Sequence, residues 1–181
     1  MRYAARVGYM GTAYSGWQRQ AMGTGVQEKI EESLAALEGK PVTVTAAGRT
    51  DAGVHACGQV ISFELEKQWR PDKLVLALNF RLPPDVSVLE TARVVQEFDA
   101  RRSALWREYR YFIWHGNALP PFLHGRVWWN RFRWDFEEVR RACALFEGDH
   151  DFRAFCKTAE CPDRTVRTIH RASVRRKGSL A

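Results

Sequence analysis

Val42-Thr43-Val44-Thr45-Ala46-Ala47-Gly48-Arg49-Thr50-Asp51-Ala52-Gly53-Val54-His55 runs from a β-branched stretch into a polar loop with a glycine at each end. Alternation resumes over residues 59–65, which places Val60, Ser62 and Glu64 opposite Ile61, Phe63 and Leu65. The spacing predicts a strand over 42–45, an irregular loop around Arg49-Thr50-Asp51, and a second strand over 59–65.

Outward from that loop, residues 2–9 alternate as a strand, with Tyr3, Ala5, Val7 and Tyr9 on one face. A glycine-rich segment over 10–23 contains Gly16-Trp17-Gln18-Arg19-Gln20. Thr24, with Gln27 three residues on, has the pattern of a capping box, so a helix to Leu37 is expected. Val26, Ile30 and Leu34 form its apolar stripe, and Gly39 lies just past its end. A helix over 71–79, the breaker Pro83-Pro84 and a strand over 86–95 complete a first unit. The second half repeats the scheme. Residues 108–114 alternate Tyr109, Tyr111 and Ile113 against Arg110, Phe112 and Trp114. A Pro/Gly loop over 116–125 follows. Asp135, with Glu138 three residues later, caps a helix lined by Val139, Ala142, Cys143 and Phe146 and ended by Gly148; a last strand covers 166–175.

This order predicts an α+β protein with antiparallel sheets in two similar halves, residues 1–100 and 101–181, and argues against a doubly wound parallel sheet. Arg175-Arg176-Lys177-Gly178-Ser179 reads as a turn opening a return strand, so the second half is expected to be incomplete at its C-terminus.

Charge divides along the same line. Residues 1–100 carry 11 Lys/Arg against 12 Asp/Glu, whereas 101–181 carry 17 against 9, so the net +7 lies wholly in the second half. Arginine dominates these cations and alternates with aromatics in Trp128-Trp129-Asn130-Arg131-Phe132-Arg133-Trp134. Guanidinium groups suit bidentate phosphate contacts and aromatics suit base stacking, so a nucleic-acid partner is one reading and a solvated basic face over an aromatic core is the other. No apolar run approaches the roughly 18 residues of a membrane helix. The four cysteines form no Cys-x-x-Cys pair and the N-terminus shows no signal peptide, which together point to a cytoplasmic protein with reduced thiols.

Asp51 is the leading chemical candidate, because its loop glycines allow close approach to a ligand and Arg49 could keep the carboxylate ionised for nucleophilic attack. Asp-Ala-Gly equally spells an ordinary turn. His55 adds a possible proton carrier. Cys156 and Cys161 with His150 and His170 match no established zinc spacing, and neither a phosphate loop nor a Gly-x-Ser-x-Gly elbow is present. A hydrolase pairing Asp51 with Glu64, Glu66 or Asp72 is a further reading.

Ala47-Gly-Arg-Thr-Asp-Ala-Gly-Val-His55 with Gly58-Gln-Val resembles the signature of the tRNA pseudouridine synthase A family. Gly16-Trp-Gln-Arg-Gln20, Val26-Gln-Glu-Lys29, Phe98-Asp-Ala-Arg101, Arg107-Glu-Tyr-Arg-Tyr111, and Asp149 to Phe155 with Arg164-Thr165 extend the resemblance in order along nearly the whole chain. The resemblance implies that Asp51 is the catalytic aspartate, adding covalently to a nucleoside whose uracil is detached, turned and rejoined through carbon 5, without metal or organic cofactor. It implies that Tyr109 stacks on the target base and that Arg49 helps the base leave its stack. Thr50, His55, Gln18 and Arg19 are expected, on the same resemblance, as further substrate-binding positions. The implied substrate is tRNA, at uridines on the 3′ side of the anticodon stem-loop (tRNA positions 38 to 40). The implied fold is two similar α/β halves packed side by side at a basic cleft, usually in a homodimer. The family continues into a basic segment like Arg-Arg-Met-Val-Arg-Asn-Ile-Val-Gly, which residues 1–181 do not contain; a noncatalytic RNA-binding fragment of this fold is therefore the alternative.

Overall fold

The computed structural model describes residues 1–20, 22–132, 134–156 and 163–180. The chain divides into two compact units, Met1–Glu108 and Tyr109–Ala181.

In the first unit, β1 (Arg2–Tyr9) lies inside a four-stranded antiparallel sheet with β2 (Thr45–Ala46), β3 (Ala56–Glu64) and β4 (Val86–Arg93), in the order β2-β3-β1-β4. The two-residue period puts Tyr3, Ala5, Val7 and Tyr9 on one buried face, and the register sets Tyr3 opposite Phe63 and Ala5 opposite Ile61. Helices α1 (Val26–Glu38) and α2 (Pro71–Asn79) join that face in one core: Val26, Ile30 and Leu34 from α1, Leu74 and Leu78 from α2. Proline at the first turn of α2 loses no intrahelical bond there, and Asn79 ties the end of α2 to β4 by bonding both the N–H and the C=O of Val88 at 2.8 Å. Leu34 is fully buried in this cluster. Leu34→Ala is expected to cost about 2–5 kcal/mol in urea unfolding.

Three local expectations change here. Thr24 does not cap α1; Gly25 does, with no side-chain cap bond. The Thr24 carbonyl accepts from Ser15 N–H, and the Gln27 amide is spent on Glu31 and the Val44 carbonyl, so no capping box closes. Of the β-branched run only Thr45 joins the ladder, because the Val44 N–H is taken by the Glu31 carboxylate. Strand β3 begins at Ala56, earlier than the alternation suggested. Gly39 ends α1 in the left-handed region at φ 85° as expected.

The second unit holds β5 (Ile113–His115), β6 (Trp128–Asn130), α3 (Phe136–Ala144), β7 (Gly148–Asp151) and β8 (Val166–Ile169). Asp135 caps α3 as its spacing predicts, accepting from the N–H groups of Glu137 and Glu138 at 2.9 and 3.2 Å. The strand expected over 108–114 forms only from Ile113, so Tyr109 lies ahead of it in irregular chain. Strands β5 and β6 pair in parallel, against the expectation of antiparallel sheets alone. The Pro/Gly connection between them is long enough for such a crossover, which needs about a dozen residues. Gly148 opens β7 rather than ending α3, whose C-cap is Leu145. Strand β8 stops at Ile169, short of the expected 175, and pairs antiparallel with β7. Lys177 and Leu180 close the anticipated turn, and Leu180 bridges Trp114 as His115 N–H donates to the Ser179 carbonyl.

All buried hydrophobic residues among those described belong to the first unit. On α3, Val139 and Cys143 are half-buried and Ala142 is exposed, so the stripe expected to line a core does not do so. Phe146 instead packs with Phe152 and Phe155.

Candidate active site

The loop between β2 and β3 is fastened on the segment that follows β1. Trp17 N–H donates to the Thr50 carbonyl at 2.9 Å, Gly53 N–H to the Tyr14 carbonyl at 3.3 Å, and Gly11 N–H to His55 Nδ1 at 3.0 Å. Tyr9 Oη and Thr50 Oγ1 share a hydrogen bond of 2.9 Å, and Gln59 Nε2 donates to the Gly48 carbonyl at 2.7 Å. Burial raises the Tyr9 phenol above the ordinary tyrosine range, while its bonds with Thr50 and Gln59 act in the opposite direction. Tyr9 therefore serves the loop as a neutral hydroxyl. Arg107, at the far end of the same unit, donates from Nε to the Ala47 carbonyl at 3.1 Å and from Nη2 to the same oxygen.

Close contact leaves no room for side chains at two glycines. A Cβ on Gly11 would lie 2.0 Å from the Val54 carbonyl oxygen. One on Gly16, whose φ is 106°, would lie 2.7 Å from the Thr50 oxygen. At the tip, Val54 N–H donates to the Asp51 carbonyl at 3.2 Å and Gly53 takes φ 79°, the geometry of a turn with a left-handed third residue. The turn reading and the chemical reading of Asp-Ala-Gly thus coexist. The turn is what lifts Asp51 out: its side chain is exposed on a loop held by backbone groups of Gly48, Thr50 and Gly53 and by the His55 ring.

The structure brings Gln18, Arg19, Arg49, Thr50, Asp51 and His55 onto two crossing segments of one unit. Gln18 and Arg19 follow Trp17, the residue bonded to Thr50, and both are exposed. Thr50 is turned toward Tyr9. His55 accepts at Nδ1, which places the proton of its neutral ring on Nε2. Arg49 does not pair with Asp51; among the described residues neither group has an ion-pair partner. Both are exposed, where such a pair is worth only about 0–1 kcal/mol and nothing compels it to form. Tyr109 is the first residue of the second unit and is 71% exposed.

Glu64, Glu66 and Asp72 are committed elsewhere. Glu64 is held by Arg2 at 2.8 Å, Glu66 by Lys40, and Asp72 by Arg70 at 3.1 Å. Glu64 ends β3 and the Asp51 loop precedes its start, so at about 3.3 Å per residue the full strand separates them. Nothing among the described residues brings these carboxylates to Asp51, so the structure lends the carboxylate-pair hydrolase no support. Among the described residues no group of three His, Cys, Asp or Glu could hold a metal, and no helix is long and apolar enough to cross a membrane; Cys161 lies outside the described residues.

Tyr9, Gln59 and Arg107 were not singled out for the loop from sequence. Tyr9 is brought to the loop by the pairing of β1 with β3, Gln59 lies on β3 just past the loop, and Arg107 reaches it from the connector after β4. A fourth, Glu31, is an α1 residue with 6% exposure, and a carboxylate at a buried helical position was a readable signal.

With an exposed aspartate presented on so firmly held a loop, the class is settled by comparison: the tRNA pseudouridine synthase family model matches residues 5–101 and 142–180, which include the whole loop. The chain belongs to this family of isomerases. Curated relatives called tRNA pseudouridine synthase A align over nearly all of it. That of Methylobacterium nodulans is 44% identical over 98% of this chain and 70% of its own length. That of Beijerinckia indica is 43% identical over 99% and 69%. That of Methylacidiphilum infernorum is 39% identical over 98% and 70%.

Proposed function

We propose that the chain isomerises uridine to pseudouridine in tRNA, at the 3′ side of the anticodon stem-loop, with Asp51 as the nucleophile. The observation that carries this reading is the Asp51 turn, exposed at its tip and anchored by backbone bonds on both sides, in a chain of this family. In the reaction the N1–C1′ glycosidic bond breaks, a C5–C1′ bond forms, the C5 proton leaves to solvent, and N1 gains a proton. Atoms balance without an added reactant. Asp51 supplies the electron pair that holds the nucleoside during the exchange. A uridine in a stacked stem must first be extruded, at a cost of a few kcal/mol. Gln18, Arg19, Arg49, Thr50 and His55 border Asp51 as polar groups able to grip the displaced strand, and Tyr109 offers an exposed ring for stacking. A homodimer in the cytoplasm is the expected setting. Pseudouridine mapping in an unmodified tRNA transcript tests the assignment: new pseudouridine confined to the 3′ side of the anticodon arm supports it, and none at that site refutes it.

The second unit supplies the phosphate contacts in this reading. Arg140 and Arg141 are engaged by Glu137 and Glu138, and Arg131 sits 4.0 Å over the Trp129 ring. Arg126, Arg171 and Arg175 are exposed and have no ion-pair partner among the described residues. Changing each of these three to Gln is expected to weaken tRNA binding and to reduce the slope of log affinity against log salt by about 1. Unchanged slopes for all three would direct the basic face away from RNA. The alternative, a noncatalytic RNA-binding fragment, draws on the absence of a guanidinium partner for Asp51 among the described residues; it predicts the same slopes with no pseudouridine formed.

A further inference from the structure

Glu31 stands outside every motif that marks the site, yet its carboxylate ties together the two segments that form it. One oxygen accepts from Val44 N–H and from Gln27 Nε2, both at 2.9 Å, and the other accepts from Arg19 Nη2 at 2.6 Å. Val44 is the residue before β2, which leads into the Asp51 loop. Arg19 lies two residues past Trp17, whose N–H holds Thr50. The Glu31 side chain is 8% exposed and that of Arg19 is 59% exposed.

A carboxylate taken from water to this depth gives back most of its Coulombic gain as desolvation, so stability alone is a weak reason for it. Its geometry gives a better one. Arginine has five N–H donors in a planar fork; one is spent on Glu31, and the others make no bond within the described residues. A free surface arginine samples many rotamers and loses that freedom on binding, at a cost of about 0.5–1.5 kcal/mol. An arginine clamped at one corner has lost it beforehand and presents its remaining donors in a fixed plane to a phosphate.

We infer that Glu31 is a positioning residue: it holds the Arg19 guanidinium pre-oriented beside the Asp51 loop to receive a phosphate of the tRNA backbone. This rests on the reading of Arg19 as an RNA contact, and the test separates the two. Affinity for an unmodified tRNA transcript is measured by fluorescence anisotropy for the native chain, Arg19→Ala, Glu31→Gln, the double variant and Arg19→Lys, with thermal unfolding recorded for each. Glu31→Gln keeps an oxygen for Val44 N–H and loses the charge facing Arg19. Each of Arg19→Ala and Glu31→Gln is expected to weaken binding by roughly tenfold, and the double variant by no more than Arg19→Ala alone. Arg19→Lys is expected to bind as weakly as Arg19→Ala, since a single ammonium held by Glu31 has no planar fork to offer. This arm leaves the buried carboxylate in place and stands if Glu31→Gln fails to fold.

A purely structural Glu31 would lower the unfolding temperature and add its effect to that of Arg19→Ala. Additivity, or native affinity in Arg19→Lys, would overturn the proposal while leaving Arg19 as an RNA contact. Native affinity in Arg19→Ala would remove that contact and the proposal with it.

Discussion

Asp51→Asn is expected to abolish pseudouridine formation, by at least about 10³-fold in kcat, while tRNA affinity stays within about twofold of the native value. The two side chains have nearly the same shape, and the loop is held by backbone groups of Gly48, Thr50 and Gly53, by the His55 ring and by the Thr50 hydroxyl. None of these contacts uses the Asp51 carboxylate. The substitution therefore removes the electron pair offered to the nucleoside and little else. Pseudouridine content after digestion of the tRNA, set beside an equilibrium binding curve, reads both quantities. Turnover near the native rate would deprive Asp51 of its role. A parallel collapse of binding would instead make Asp51 part of the RNA grip.

Gly11→Ala is expected to give the next largest loss without touching any polar group. Its new methyl would lie 2.0 Å from the Val54 carbonyl oxygen and within 2.9 Å of the Gly53 carbonyl carbon, both backbone atoms that no rotamer change can move away. The loop must lift from the β1 side, which strains the Gly11 N–H to His55 bond and the Tyr14 to Gly53 bond together. Overpacking of this kind costs about 1–3 kcal/mol in stability. Displacement of a catalytic group by about 1 Å lowers turnover on the order of a hundredfold. Of the core of the first unit, Tyr9 and Tyr14 also bond this loop, Tyr9 at the Thr50 hydroxyl and Tyr14 at the Gly53 N–H. Urea unfolding should therefore remain cooperative with a modestly lower midpoint, while kcat falls much further. Native turnover in Gly11→Ala would show that the loop need not be seated on this segment.

Legibility from sequence followed the range of the forces involved. Strand β1, helix α2 and the Asp135 cap rest on local periodicity and local hydrogen bonds, and all three formed where the pattern placed them. Thr24 failed as a cap because other partners compete: its carbonyl accepts from Ser15 N–H, and the Gln27 amide donates to Glu31 one turn on and to the Val44 carbonyl in a separate segment. The parallel pairing of β5 with β6 and the short β5 depend on tertiary partners that alternation over 108–114 cannot reveal. At the site, the motif residues were visible as strings. The contacts that support them were not: Gln59 and Arg107 stand in the quoted strings and Glu31 is a buried helical carboxylate, but their bonds to the Gly48, Ala47 and Val44 backbone, like that of Tyr9 to Thr50, arise only in the folded chain. Arg49 was expected to act on Asp51 from its spacing, yet two exposed charges two residues apart have no obligation to meet.

The most direct test of Asp51-dependent uridine isomerisation is tritium release from tRNA whose uridines are labelled at carbon 5. Forming the C5–C1′ bond expels that hydrogen, and binding alone cannot. Release into solvent by the native chain, absent with Asp51→Asn, is the expected result. No release under conditions where the labelled tRNA is shown to be bound would contradict the account and leave the chain as an RNA-binding member of its family.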